Sequence, residues 1–185
     1  MELSKKGRKK WYPVVASEHF KNVVIGEVPL YSPDVLAGRT LWVNLAHLTG
    51  ELKDHSIRMR FRIKNVTGER AETELIGYQL LSTYIKRLVR PGKSRVDDSF
   101  IVHTQDKVKL RVKMLYLTRK NVKKSITQEV MKKGQEQTAD FFGKHVYEEA
   151  INEVIWNRFQ RSLKSLLSKI YPLSSVDVKA VVKMS

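Results

Sequence analysis

Residues 57–64, IRMRFRIK, alternate without a break: Ile57, Met59, Phe61 and Ile63 are apolar, and Arg58, Arg60, Arg62 and Lys64 are basic. Only an extended chain sorts that order into two faces, because successive side chains of a strand point to opposite sides. The pattern returns in KVKLRVKM at 107–114, where Val108, Leu110, Val112 and Met114 alternate with Lys107, Lys109, Arg111 and Lys113. Both segments predict half-buried strands with one face in a core and a row of cations outward. A solvated sheet face ordinarily mixes signs, since like charges across a ladder repel and opposite ones attract. Eight cations without an acid imply that the neutralising charge comes from elsewhere.

The chain's 185 residues hold 35 Lys and Arg against 19 Asp and Glu, a formal charge of +16. An excess of that size, present in both halves, points to a polyanionic partner. With 42% hydrophobic and 29% charged residues, the chain can bury a core and is no disordered polyelectrolyte. The absence of cysteine excludes disulfides, thiolate metal sites and Cys nucleophiles. No run approaches the roughly 18 apolar residues of a membrane span, and no apolar segment follows the N-terminal cations to make a secretory signal. The expectation is a soluble intracellular protein with no membrane partner.

A basic arm over 1–10 and a single α+β domain over 11–185 are expected. The arm holds Lys5, Lys6, Arg8, Lys9 and Lys10 and would repel itself in isolation. Trp11 and Tyr12 either anchor it to the core, the preferred reading, or stack on exposed bases. Strands are expected at 22–28, 38–46 and 57–64, then a turn over 65–70 containing Gly68 and a partner strand at 71–80. Glu72 and Glu74 on that hairpin are placed to neutralise some of the arginines. The spacing of Leu81, Tyr84, Ile85 and Leu88 predicts a helix over 80–90, stopped by Pro91-Gly92. A second hairpin has strands at 99–104 and 107–118 around a turn at Gln105-Asp106.

Ser125-x-x-Gln128 reads as a capping box for a helix to about Phe142 with a narrow apolar face, stopped by Gly143. Ile151, Val154, Ile155, Phe159, Leu163, Leu166 and Ile170 make one amphipathic stripe over 145–171, ended by Pro172, and 175–184 alternates as a last strand. The sum is an α+β fold: a β-barrel-like or sandwich sheet, an inserted helix and two helices in the C-terminal half.

Catalysis needs a constellation, and none assembles. His19, His47, His55, His103 and His145 are isolated, with neither an HxH pair nor an HExxH helix, and no GxxxxGK[ST] loop occurs. Asp97 and Asp98 would point to opposite faces of a strand, and turn formation with pairing to Arg95 accounts for them better than acid–base work. Ser99 and His103 share a strand face but stand too far apart for a direct hydrogen bond. The chain is read as no enzyme, with no metal and no cofactor.

The residues do support phosphate binding. Four cation clusters are available: the arm, with Trp11 beside it; Arg58, Arg60, Arg62 and Lys64; Lys86, Arg87, Arg90, Lys93 and Arg95; and Lys107, Lys109, Arg111, Lys113, Arg119, Lys120, Lys123 and Lys124. Any one of them reads equally well as solvated surface, whereas four lacking acids read as an interface. The arginines offer bidentate phosphate contacts and the lysines less directional charge. No RNP sheet motif, GXXG loop or zinc finger occurs, so sequence-specific readout of single strands is not indicated.

The ordered series KKWYPVVAS, GRTLWVNLAHLTG, FRIKNVTGERAETELIGYQL, TYIKRLVRPGKSRVDDSFIVHTQD and YPLSSVDVKAVVKMS runs from about Lys9 to Ser185. It resembles the archaeal and eukaryotic small-ribosomal-subunit proteins called S-one-e or S-three-a-e, and the chain's length resembles an archaeal member. The resemblance implies a structural constituent of the small subunit, cytoplasmic and on the subunit's platform near the messenger exit, with a β-barrel-like core and helices beside it. Its implied partners are ribosomal RNA, neighbouring small-subunit proteins and messenger RNA near the exit. Lys107 departs from the family pattern, in which glycine is expected after Gln105-Asp106, so the turn there is expected to be shaped differently. The rival reading is a free-standing RNA-binding translation factor or RNA chaperone.

Overall fold

A computed structural model describes residues 9–17, 20, 22–31, 36–67 and 70–184. Positions 1–8, with Lys5, Lys6, Arg8 and most of the expected arm, lie outside them. The chain divides into two compact units, residues 1–76 and 77–185.

In the first unit β1 (Lys10–Val15) pairs antiparallel with β2 (Val24–Leu30) and, through Val14 and Val15, parallel with the start of β5 (Arg70–Leu80). β5 also pairs with β4 (Ile57–Thr67), which pairs antiparallel with β3 (Thr40–Asn44). The alternation at 57–64 is obeyed, with Ile57, Met59, Phe61 and Ile63 all buried. Ile63 joins Tyr12, Val14, Leu36 and Ala71 in one core cluster, so the outward faces of β1, β4 and β5 lie on the side away from it. Alternation lets only one of two adjacent aromatics face that core: Tyr12 anchors the strand, while Trp11, expected to anchor beside it, instead turns outward and is 63% exposed. β4 and β5 extend further than the alternation alone suggests, and Gly68 of the expected turn lies outside the described residues.

The stretch 38–46 is not all strand. The Asn44 side-chain oxygen accepts from the Ala46 N–H at 3.0 Å and caps α1 (Leu45–Thr49), which closes on Gly50 at φ 76°. Asparagine at the start and a left-handed glycine at the end satisfy the orphan backbone groups of so short a helix. A 3-10 turn, Leu52–Ser56, returns the chain to β4.

The second unit begins within β5. α2 (Ser82–Leu88) is the inserted helix, followed by β6 (Arg95–His103), β7 (Lys109–Thr118), α3 (Lys124–Lys144), α4 (Tyr147–Ile155), α5 (Arg158–Leu167) and β8 (Leu173–Lys183). β7 lies between β6 and β8, antiparallel to both, and β8 pairs on its other side with Gly77–Gln79. Val102, Leu110, Val112, Met114, Tyr116, Val176 and Val178 are buried on the face that takes α3 against β6 and α5 against β8. Among the described residues β2, β3 and β6 are each paired on one side only, so the fold is α+β with a sheet left open, not closed into a barrel.

The helices differ in detail from the sequence reading. Ser125 lies inside α3, whose N-cap is Lys123 without a side-chain hydrogen bond, so the capping box does not form, and the helix continues through Gly143 to Lys144. Its buried line is Val130, Gly134, Thr138 and Phe142, narrow as expected but built from small residues, because a Cβ at Gly134 would overlap the Tyr116 ring and hydroxyl. The expected single helix over 145–171 is two. Asn157 adopts φ 57°, a conformation that asparagine tolerates and a helix interior does not, and Gln160 Nε2 donates to the Val154 carbonyl at 2.8 Å across the break. Asp97 and Asp98 sit within β6 rather than in a turn, on opposite faces as alternation requires. Asp97 pairs with Arg95, while the mostly buried Asp98 accepts from Gln135 Nε2 of α3 at 2.9 Å.

Candidate nucleic-acid interface

On the outer face of β7, Lys109, Arg111 and Lys113 are exposed at every second position, while Leu110, Val112 and Met114 are buried beneath them. Two residues of strand separate consecutive cations by about 7 Å. Their cross-strand neighbours on β6 are His103, Ile101 and Ser99, and on β8 Val182 and Ala180 face Arg111 and Lys113. None of these neighbours is an acid. None of the three cations makes an ion pair with a described residue.

Further along the same face the charge is satisfied internally. Asp97 takes Arg95 on its own strand and Lys179 from β8, the latter at 3.1 Å. Burial alone would raise the Asp97 carboxyl, but the hydrogen bonds from Arg95 and Lys179 prevail and hold it below its ordinary value. Leu115 and Leu117 are buried there, and Asp177, cross-strand from Leu115, is pushed up by burial despite Ser175 and Lys164 nearby. Among the described residues, one sheet face thus has a neutralised end and an unneutralised end.

A second group of cations gathers where β6 begins and β7 ends. The Ser94 N–H donates to Thr118 Oγ1 at 2.9 Å, Thr118 Oγ1 donates to the Lys120 carbonyl at 2.6 Å, and the Val122 N–H donates to Ser94 Oγ at 3.0 Å. These bonds tie the 93–95 loop to the 119–123 segment, so two clusters distant in sequence become one. Arg119, Lys120, Lys123 and Lys124 are exposed, as are Arg90 at the other side of the tie and Lys86 and Arg87 on α2. Lys93 is half-buried and donates to Ser174 Oγ at 2.8 Å, keeping its charge, while Arg95 is paired with Asp97. Lys107, exposed, occupies the turn before β7 at φ 61°, with its N–H donating to the Thr104 carbonyl at 2.9 Å. Lys107 therefore places a non-glycine residue at a left-handed position.

In the first unit Arg58 and Lys64 are exposed and Arg60 and Arg62 half-buried, all on the outer face of β4. β5 lies beside them with Glu72 and Glu74 on its outward positions, both engaged in interactions, so this face is mixed in sign. Lys9 and Lys10 are exposed at the start of β1, and the Lys9 ammonium lies 5.4 Å from the centre of the Tyr31 ring. Among the described residues, no group of His, Asp and Glu is placed to hold a metal, and no helix is long and apolar enough to cross a membrane.

The profile of the Ribosomal S3Ae family matches residues 4–184. The chain belongs to that family. It is 30% identical over 170 residues to the small ribosomal subunit protein eS1 of Methanothermobacter thermautotrophicus, covering 92% of this chain and 87% of that protein. It is 33% identical over 174 residues to eS1 of Aeropyrum pernix, covering 92% and 81%. It is 29% identical over 172 residues to eS1 of Haloarcula marismortui, covering 93% and 81%. Membership in a family of ribosomal proteins bears out the reading of a chain that is no enzyme.

Two outward residues of this S3Ae member escaped the sequence reading. Lys179 reaches the outer sheet face because the β7–β8 register shifts between Lys113 and Met114, and no periodicity in SVDVKAVVKM announces such a shift. Trp42 is 45% exposed on β3. Its orientation was legible, since TLWVN alternates Leu41 and Val43 inward with Thr40, Trp42 and Asn44 outward.

Proposed function

We propose that the chain is a structural constituent of the small ribosomal subunit and binds its ribosomal RNA through the outward cations of β7, supporting translation without catalysis. The observation that carries the reading is the row Lys109, Arg111 and Lys113, held at the fixed spacing of a strand with no acid among the described residues paired to it. Each such cation gains by meeting a phosphate and releasing its counterions. The joined cluster of Arg90, Arg119, Lys120, Lys123 and Lys124 offers a second line of phosphate contacts, with Lys86, Arg87 and Lys107 as further ones. Arg58, Arg62, Lys64, Lys9, Lys10 and the cations of the arm are assigned to the same RNA. The names of the relatives support the ribosomal setting, and the resemblance read from the sequence supports a cytoplasmic place on the platform near the messenger exit, beside other small-subunit proteins and within reach of messenger RNA.

Sedimentation of a lysate at low and high salt tests this. Stoichiometric co-migration with the small subunit that persists at moderate salt is expected. A chain that stays at the top of the gradient at low salt would instead be a free RNA-binding factor.

A further inference from the structure

We infer that Trp42 and Arg60 form a stacking site for an unpaired nucleobase, so that the first unit recognises single-stranded RNA where the second meets phosphates alone. This rests on the RNA-binding reading above and adds to it a ligand class that charge alone does not specify. Trp42 of β3 is the cross-strand partner of Arg60 on β4. The Arg60 guanidinium lies over the indole, its carbon 5.5 Å from the ring centre, and its Nη2 donates to Thr40 Oγ1 at 3.2 Å. The indole remains 45% exposed, so Arg60 does not close it off.

A cross-strand cation–π pair alone would explain the contact but not its surroundings. Arg58 faces Asn44 and Arg62 faces Thr40, which places one further arginine on either side of Arg60 along β4. None of the three arginines makes an ion pair with a described residue. Glu72 and Glu74 belong to β5, which borders β4 on the side away from β3. Among the described residues β3 is paired on one side only, so the platform opens at a sheet edge. A π-surface flanked by cations is the combination that holds single strands, the base stacking on the ring and the backbone running along the charges. An acidic peptide would use the arginines and leave the indole idle. A duplex keeps its bases stacked internally and cannot offer one.

The test uses the full chain with Trp11 and Trp156 replaced by Phe, so that indole emission comes from Trp42 alone, and titrates it with single-stranded oligoadenylate and with a blunt RNA duplex. Single strands are expected to quench the emission, and the duplex to bind without quenching. In the otherwise unaltered chain, W42A is expected to weaken single-strand affinity roughly tenfold and W42F distinctly less, with the slope of log affinity against log salt unchanged, because stacking releases no counterions. Near-UV circular dichroism and thermal unfolding of W42F show whether the platform is intact. Salt-dependent binding with neither quenching nor a loss in W42A would overturn the stacking site and leave the phosphate reading standing. Failure to bind either RNA at low salt would overturn both.

Discussion

Replacing Lys109, Arg111 and Lys113 together by Gln removes three charges and little else. All three side chains are exposed and make no ion pair with a described residue, so the variant is expected to fold with near-native stability. If each cation meets one phosphate, each contributes about 0.7–0.9 to the slope of log affinity against log salt, and the triple variant loses roughly 2–3 units. Between 50 and 200 mM salt, a fourfold range, that difference amounts to roughly a 20- to 40-fold divergence between the native and variant salt responses. Filter binding to small-subunit ribosomal RNA across that range measures it. The matched control replaces Lys132, Lys133 and Lys169, which are also exposed, and so lowers net charge equally. A control that flattens the slope as much as the β7 variant would show that net charge, not the strand face, drives binding, and would refute the reasoning.

Three further outcomes follow from the packing and the backbone. Gly134→Ala is expected to cost about 1–2 kcal/mol in urea unfolding, the added Cβ meeting fully buried Tyr116, whereas Gly143→Ala on the same helix, with open space around it, should gain up to about 1 kcal/mol. Lys107→Gly is expected to raise stability by about 0.5–1 kcal/mol, because a non-glycine residue at φ 61° carries left-handed strain. Asp177 holds its proton to higher pH folded than unfolded, burial being the main cause, so its contribution is intact in acid and is lost as pH rises through the folded value. Asp177→Asn should therefore be more stable than the native chain at neutral pH and lose that advantage as pH falls toward the ordinary carboxylate value, as followed by thermal unfolding across the range.

What was legible in the sequence was whatever local periodicity determines. The strands around Phe61 and Val112, and the outward direction of Arg58 to Lys64 and Lys109 to Lys113, follow from alternation alone. What was not legible depends on partners distant in the chain. The break at Asn157 interrupts no apolar stripe, since Val154, Ile155 and Phe159 remain buried on both sides of it. The buried line of α3 went unseen because Gly134 and Thr138 carry no hydrophobic signal, and their role appears only with Tyr116 packed against them. Among the candidate contacts, composition could not tell Arg111, which makes no ion pair with a described residue, from Arg95, which is already held by Asp97. Nor could it join Ser94 to Thr118, the bond that gathers two cation clusters into one.

The most direct measurement is the structure of an isolated small subunit containing this chain, by electron microscopy at a resolution that shows side chains. The account predicts ribosomal RNA phosphate oxygens within ion-pair distance of Lys109, Arg111 and Lys113. Finding that face turned to solvent, or covered by acidic protein surface, would contradict it.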